Sequence, residues 1–189
     1  MDTLLTIALG IGLAAACGFR IFVPLLVINL AAQSGRVELA GGFEWMGSTP
    51  ALIVFGTATV LEILAYYVPF VDNLLDTVAT PSAVVAGIIA TASQVGDMDP
   101  MLTWSVAIIG GGGAAGAVQG VTAVTRQISS LATAGFGNPI FSTLELGGSL
   151  VMTALAIFMP LLAVFALLLL VMFMAKRFFF TEQPPEVAA

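Results

Sequence analysis

Histidine is absent from this 189-residue chain, and Cys17 is its single cysteine. The absence of histidine excludes the most common general base and the most common metal ligand. A lone cysteine forms no internal disulfide and no cysteine-based metal or iron–sulfur site. We therefore predict no metal, no cofactor and no catalytic residues, and any catalysis would depend on carboxylates, Arg, Lys, Tyr or Ser.

Charged residues are scarce as well. They make up 8% of the chain, hydrophobic residues make up 59%, and the mean hydropathy is +1.09. A soluble domain carries about 25% charged residues, so this chain has too few polar side chains to cover a water-facing surface. Five basic residues and a net charge of −6 form no patch for nucleic acid. The composition predicts an integral membrane protein, with residues 1–180 as one transmembrane domain in the lipid bilayer.

Apolar stretches that approach or exceed the roughly 20 residues needed to cross a bilayer occur in five places. They run over 3–32, 50–68, 81–95, 100–133 and 139–180. The last contains Pro160 near its middle, so it is either one kinked helix or two short spans. The sequence predicts an all-α bundle of five or six spans, with broken or kinked helices, and a disordered tail over 181–189.

Prolines that follow a capping residue predict four helix starts. Proline suits the first position of a helix, and the Thr, Asp or Asn before it can accept a hydrogen bond from a backbone N–H group of the first turn. The four pairs are Thr49-Pro50, Thr80-Pro81, Asp99-Pro100 and Asn138-Pro139. Tyr66 and Tyr67 indicate a membrane interface. By the positive-inside rule, Lys176 and Arg177 predict a cytoplasmic C-terminus.

Small residues recur at four-residue spacing in the first and fourth stretches. These two small-residue stripes are Gly10, Ala14, Gly18 and Gly112, Gly116, Gly120. Such faces let helix backbones approach closely, so we predict tight packing within the bundle and a homo-oligomer. An arginine-bearing helix, a glutamate-bearing helix and a third helix then occur twice. This order predicts an inverted repeat with halves 3–97 and 100–180, although Gly- and Ala-rich helices also resemble one another by composition alone.

Apart from Lys176 and Arg177 at the end of the last stretch, the apolar stretches contain four charges, namely Arg20, Glu62, Arg126 and Glu145. A charge at the bilayer centre costs at least about 2.5–3.5 kcal/mol, so it is paired or faces a polar cavity. We expect Arg20 to pair with Glu62 or with Glu145. Two hypotheses follow: a transporter or channel that passes a small solute or ion through this Arg/Glu site, or a scaffold or assembly factor whose ion pairs only fix packing. The helix that starts at Asn138 adds a positive dipole end that attracts anions.

A polar run after the second stretch offers a third site. Asp72 and Asp76 are four residues apart and share a helix face, and Asn73 flanks them. They are candidates for a cation or proton site, or simply for a solvated surface. An intramembrane enzyme that uses the two aspartates is the least favoured alternative, since no protease motif accompanies them.

Several stretches resemble a bacterial membrane family known as domain of unknown function 4126. The resembling segments are 14–24, 61–67, 72–76, 110–119 and 137–139. The resemblance implies a protein of the bacterial inner membrane with several spans. It brings no substrate or reaction, so the functional argument depends on the residues themselves.

Overall fold

The computed structural model describes residues 3–68, 71–96, 98–133 and 137–179, without the side chains at 72–74, 76, 175 and 177–179. These residues form helices joined by short loops, with no strand among them. The α-helices are α1 Thr3–Phe19, α2 Phe22–Gln33, α3 Thr49–Ala65, α4 Val71–Ala92, α5 Pro100–Ser105, α6 Gly113–Thr133, α7 Asn138–Phe158 and α8 Pro160–Phe179. A 3-10 turn, Glu44–Gly47, precedes α3. The all-α prediction is therefore confirmed, while the number of spans and the inverted repeat stay predictions.

The first apolar stretch is broken at Arg20. Helix α1 ends at Phe19 and α2 begins at Phe22. The cause lies in Pro24, which has no N–H to donate to the carbonyl four residues earlier and whose ring crowds that carbonyl. That carbonyl belongs to Arg20. The break therefore places a buried arginine at a helix interruption inside the bundle.

Helices begin at three of the four predicted proline pairs. Asp99 accepts from the Met101 N–H at 2.9 Å, as a cap should. The cap of α3 is Ser48, one residue earlier than predicted, which accepts from Ala51 N at 3.3 Å. The start predicted at Thr80-Pro81 is wrong, because α4 begins at Val71 and contains Pro81 in its interior. Membrane-type helices tolerate such prolines where neighbouring groups satisfy the freed backbone.

The fourth stretch is continuous but contains a π-helical segment, Val106–Gly112, between α5 and α6. This segment lies against α4 through two glycines, Gly87 and Gly111. A Cβ added at Gly87 would be 2.9 Å from Gly111 O and 2.5 Å from the Ala115 methyl group. Only glycine allows the two backbones to approach this closely.

The fifth stretch is broken at Met159, directly before Pro160. Met159 N donates to Leu155 O, and Ala163 N donates to Met159 O, so α8 follows α7 without an intervening loop. The break confirms that proline interrupts this long stretch, because the ring of Pro160 disfavours the helical conformation at Met159, whose φ is −143° and ψ is 66°.

Helix α1 is the centre of the bundle and contacts α4, α6, α7 and α8. Its residues from Ala8 to Gly18 are buried almost without exception. Gly18 lies against α6, where an added Cβ would be 2.6 Å from Ala115 O. The small side chains of the central helix α1 thus let four other helices approach its backbone.

The two small-residue stripes do not pack against each other as units. Gly10 lies against Thr91 of α4, and Gly116 faces Val84 of the same helix. Gly120 has no described heavy atom within 4 Å of the position that a Cβ would take. Gly120 therefore makes no close helix contact within this chain, because the buried face of α6 at this level is formed by Val118, Gln119 and Thr122.

The outer surface is apolar, whereas the interior holds polar side chains. Leu131, Met101 and Ile109 are 89%, 79% and 77% exposed, while Arg20 and Arg126 are almost completely buried. Among the described residues, two helices are long and apolar enough to cross a membrane, Pro100–Thr133 and Asn138–Phe158, and only 33% of the most apolar 18-residue window in each is buried. A core helix of a soluble protein would be mostly buried, so these helices indicate membrane association.

Candidate functional site

Arg20 lies at the break between α1 and α2 and is 1% exposed. Its Nη2 donates to the Ser142 carbonyl at 2.8 Å and to the Ser142 hydroxyl at 2.5 Å. The same nitrogen is 3.5 Å from Glu145 Oε2. Of the two predicted partners of Arg20, the structure therefore has Glu145. The other two guanidinium nitrogens, Nε and Nη1, are buried and have no hydrogen-bond partner within the described part of the chain.

Arg126 approaches the same carboxylate from α6. Its Nη2 donates to Glu145 Oε2 at 2.5 Å, and both side chains are almost completely buried. One oxygen of Glu145 therefore lies beside two guanidinium groups, from Arg20 and Arg126. Three of the four intramembrane charges predicted from the sequence meet in this cluster, which we call the arginine pair site (Arg20, Arg126 and Glu145).

Tyr66 completes the arginine pair site from the end of α3. The Arg20 and Arg126 guanidinium carbons lie 4.1 Å and 4.3 Å from the centroid of its ring. Both distances suit a cation–π contact. The prediction of an interfacial Tyr66 is wrong, since the side chain is 6% exposed and faces the buried cations. Its neighbour Tyr67 is 41% exposed, as an interfacial tyrosine would be.

Glu62 has a different role from Glu145. Its two oxygens accept from the backbone N–H groups of Ile21 and Phe22, at 2.8 Å and 3.1 Å. These N–H groups lost their helical acceptors at the break, and a carboxylate at a helix N-terminus also interacts favourably with the helix dipole. Of the two predicted alternatives, the Arg20–Glu62 pair is therefore not formed, and the Arg20–Glu145 pair is. Glu62, a residue of α3, therefore caps the N-terminus of α2.

Asn138 lies at the start of α7, but its side chain does not cap that helix. The N-cap is Gly137, and the Asn138 amide exchanges hydrogen bonds with Ser130 of α6 at 2.8 Å and 3.2 Å. The expectation of a capping Asn138 is therefore wrong. Because Asn138 is 2% exposed, it joins the ends of two helices inside the bundle.

Polar residues of α6 and α7 extend the site in both directions, and sequence reasoning missed them. The buried members are Gln119, Thr122 and Ser129 on α6, and Ser142, Ser149 and Thr153 on α7. Their spacing of three, four and seven residues places each set on one helix face. That periodicity is visible in the sequence and marks the faces that meet around Glu145.

The predicted cation or proton site lies at the start of α4. Asp72, Asn73 and Asp76 occupy its first two turns, and their side chains lie outside the described residues. The site they were predicted to form therefore stays a prediction.

Of three comparisons with known proteins, one gives a match. No curated protein and no solved structure matches the chain. A family model described as "Domain of unknown function (DUF4126)" matches residues 7–178, which is nearly the whole chain. The resemblance seen in the sequence is thereby confirmed, and the match includes every member of the arginine pair site. The chain belongs to the DUF4126 family.

Proposed function

We propose that the protein passes a small anionic solute across the membrane, and that Arg20 binds this solute. The observation that carries the proposal is the pair of unpartnered nitrogens on a side chain that is 1% exposed. A buried donor without an acceptor costs about 1–3 kcal/mol, and more when it is charged. An anion at Nε and Nη1 would offset that cost.

The chemistry of guanidinium favours a carboxylate or a phosphate as the solute. Its planar fork of N–H donors matches two oxygens of such a group at once. The Nη2 of Arg20 is already engaged by Ser142 and Glu145, which fixes the orientation of the fork. A site fixed in this way loses less conformational entropy when the anion binds.

The interruption at Arg20 supports transport over a purely structural role. Transporters commonly bind their solutes where a membrane helix is broken and its polar backbone faces the site. Here the N–H groups of Ile21 and Phe22 face the carboxylate of Glu62. Protonation of Glu62 would weaken its hold on α2, so we propose Glu62 as the group that couples solute passage to protons.

The alternative is a scaffold or assembly factor, and one observation favours it. Ser149 donates to Ala16 O at 3.1 Å, and Arg20 donates to Ser142, so polar contacts join α1 firmly to α7. Buried polar contacts of this kind set the register of helices. In this second function the same residues would hold the bundle together and no solute would pass.

Flux through liposomes that contain the purified protein distinguishes the two functions. We expect uptake of small anions such as acetate or phosphate, stimulated by a pH gradient. Arg20→Gln should abolish it, and Arg126→Gln should reduce it strongly. Arg36→Gln is the matched control, because Arg36 is exposed and outside the arginine pair site. Flux that is unaffected by Arg20→Gln would contradict the mechanism, and no flux of any anion would favour the scaffold.

A further inference from the structure

A groove between α3 and α4 extends to Tyr66, whose ring contacts both guanidinium groups of the arginine pair site. It encloses about 340 Å³, which lies within the range of small-molecule sites. Its walls are apolar and include Phe22, Leu61, Leu75 and Val78. We call it the lateral groove. Leu61 and Val78 are 61% and 54% exposed, so the groove opens on the apolar outer surface.

The inner end of the lateral groove is polar. Glu62 and Tyr66 both line it. The Tyr66 ring also contacts the guanidinium groups of Arg20 and Arg126, whose central carbons lie 4.1 Å and 4.3 Å from the ring centroid. One aromatic side chain therefore lies between an apolar groove and two buried cations. Tyr66 directly follows the last residue of α3, where a turn begins, so its side chain lies at a helix end rather than within a helix.

We infer that the lateral groove holds the hydrocarbon chain of a long-chain anionic amphiphile, whose carboxylate reaches Arg20 past Tyr66. The inference rests on the proposed function, because it takes Arg20 as the anion-binding group and names the class of anion. A long-chain carboxylate matches both ends of this path. Its chain suits the apolar walls, and its headgroup suits the unpartnered Nε and Nη1 of Arg20.

The carboxylate of Glu62 repels the incoming headgroup less strongly than an uncompensated negative charge would. Both of its oxygens accept backbone N–H groups at the start of α2. The N-terminus of that helix carries a partial positive charge of about half an elementary charge, which offsets part of the negative charge. The headgroup that enters the groove therefore meets a capped carboxylate and then the guanidinium groups.

Photolabelling tests the occupant directly. The probe is a long-chain fatty acid that carries a diazirine on its chain, added to the full-length protein in phosphatidylcholine nanodiscs. We expect the label on peptides of α3 and α4 that flank the groove. An unlabelled fatty acid of the same length should displace the probe, whereas an alcohol of that length should be about tenfold weaker or worse, because it lacks the charge that Arg20 recognises. Equal competition by acid and alcohol would overturn the inference.

A matched pair of variants tests the place. Ala58→Trp fills the groove from α3, whereas Val54→Trp places the same side chain on the exposed face of α3 outside it. We expect labelling to be lost in Ala58→Trp and kept in Val54→Trp, and Arg20→Gln to weaken competition by the acid. Equal labelling of the two tryptophan variants would overturn the inference. The comparison of acid with alcohol needs no variant, so it decides the matter even if Ala58→Trp fails to fold.

The two proposals fail in different ways. Arg20-dependent flux of acetate without carboxylate-selective labelling of the groove would overturn the amphiphile inference and leave anion transport standing. Labelling that is selective for the carboxylate without flux of any anion would support the lateral groove as a binding site and overturn transport.

Discussion

Replacement of Glu145 by Gln should destabilise the protein far more than replacement of Arg20 by Met. Glu145 Oε2 lies 2.5 Å from Arg126 Nη2 and 3.5 Å from Arg20 Nη2, so one carboxylate serves two buried guanidinium groups. Removal of one partner from a buried ion pair costs about 3–5 kcal/mol, because the remaining charge stays buried. We expect Glu145→Gln to fall within that range.

The Arg20→Met variant should cost only about 0–2 kcal/mol. The variant loses the two hydrogen bonds to Ser142, and hydrogen bonds to charged groups contribute about 1.5–3 kcal/mol. Against that loss, Glu145 keeps its bond to Arg126, and the buried unpartnered Nε and Nη1 disappear with their desolvation cost of about 1–3 kcal/mol. Met also fills most of the vacated space with a flexible apolar chain.

Reversible unfolding in mixed detergent micelles, followed by circular dichroism, measures both costs. The expected gap between the two variants, about 1 kcal/mol or more, corresponds to at least about a fivefold difference in the unfolding constant. Glu38→Gln is the matched control, since Glu38 is exposed and its replacement should change stability by less than about 0.5 kcal/mol. If Arg20→Met cost as much as Glu145→Gln, the assignment of Glu145 as the shared partner would be refuted.

Three further predictions concern the helices around this site. Gly87→Ala should lower the melting temperature by several degrees, because the new methyl group would meet Gly111 O and Ala115. The control Gly113→Ala should leave the melting temperature unchanged or slightly raised, because no described atom lies within 4 Å of the new methyl group. Equal melting temperatures of the two variants would contradict the close contact of α4 with the π-helical segment. Glu62→Ala should cost about 0.5–2 kcal/mol and speed amide hydrogen exchange at Ile21 and Phe22, and unchanged exchange there would refute the cap. Pro24→Ala should slow amide exchange around Arg20, because the helix is then free to continue, and it should reduce anion flux if the break serves transport; faster exchange would contradict the proline explanation.

The sequence by itself determined the class of the protein and much of its local structure. The scarcity of charge and the apolar stretches predicted an all-helical membrane protein, because a chain with so few polar side chains cannot cover itself against water. Pro160 predicted the break in the last stretch, since a proline acts on its own helix and needs no partner. Arg20, Arg126 and Glu145 stood out for a similar reason, since a charge inside an apolar stretch is costly wherever it lies.

Some local predictions failed where a neighbouring helix changed the outcome. Pro81 did not start a helix, because a proline within a packed helix is tolerated when its surroundings satisfy the freed backbone. Asn138 did not cap α7, because Ser130 of α6 offered its side chain two hydrogen bonds inside the bundle. In both cases local chemistry gave a correct preference that tertiary contacts outweighed.

Only the tertiary structure decided which groups meet. Helical periodicity predicts which residues share a face, but it does not say which helix that face will contact, because contacts between helices join residues far apart in sequence. Arg20 and Ser142 are separated by 122 positions, and Glu62 reaches Ile21 over 41. The choice of Glu145 over Glu62 as the partner of Arg20, and the burial of Tyr66 against both guanidinium groups, depend on how α3, α6 and α7 pack around the break in the first apolar stretch.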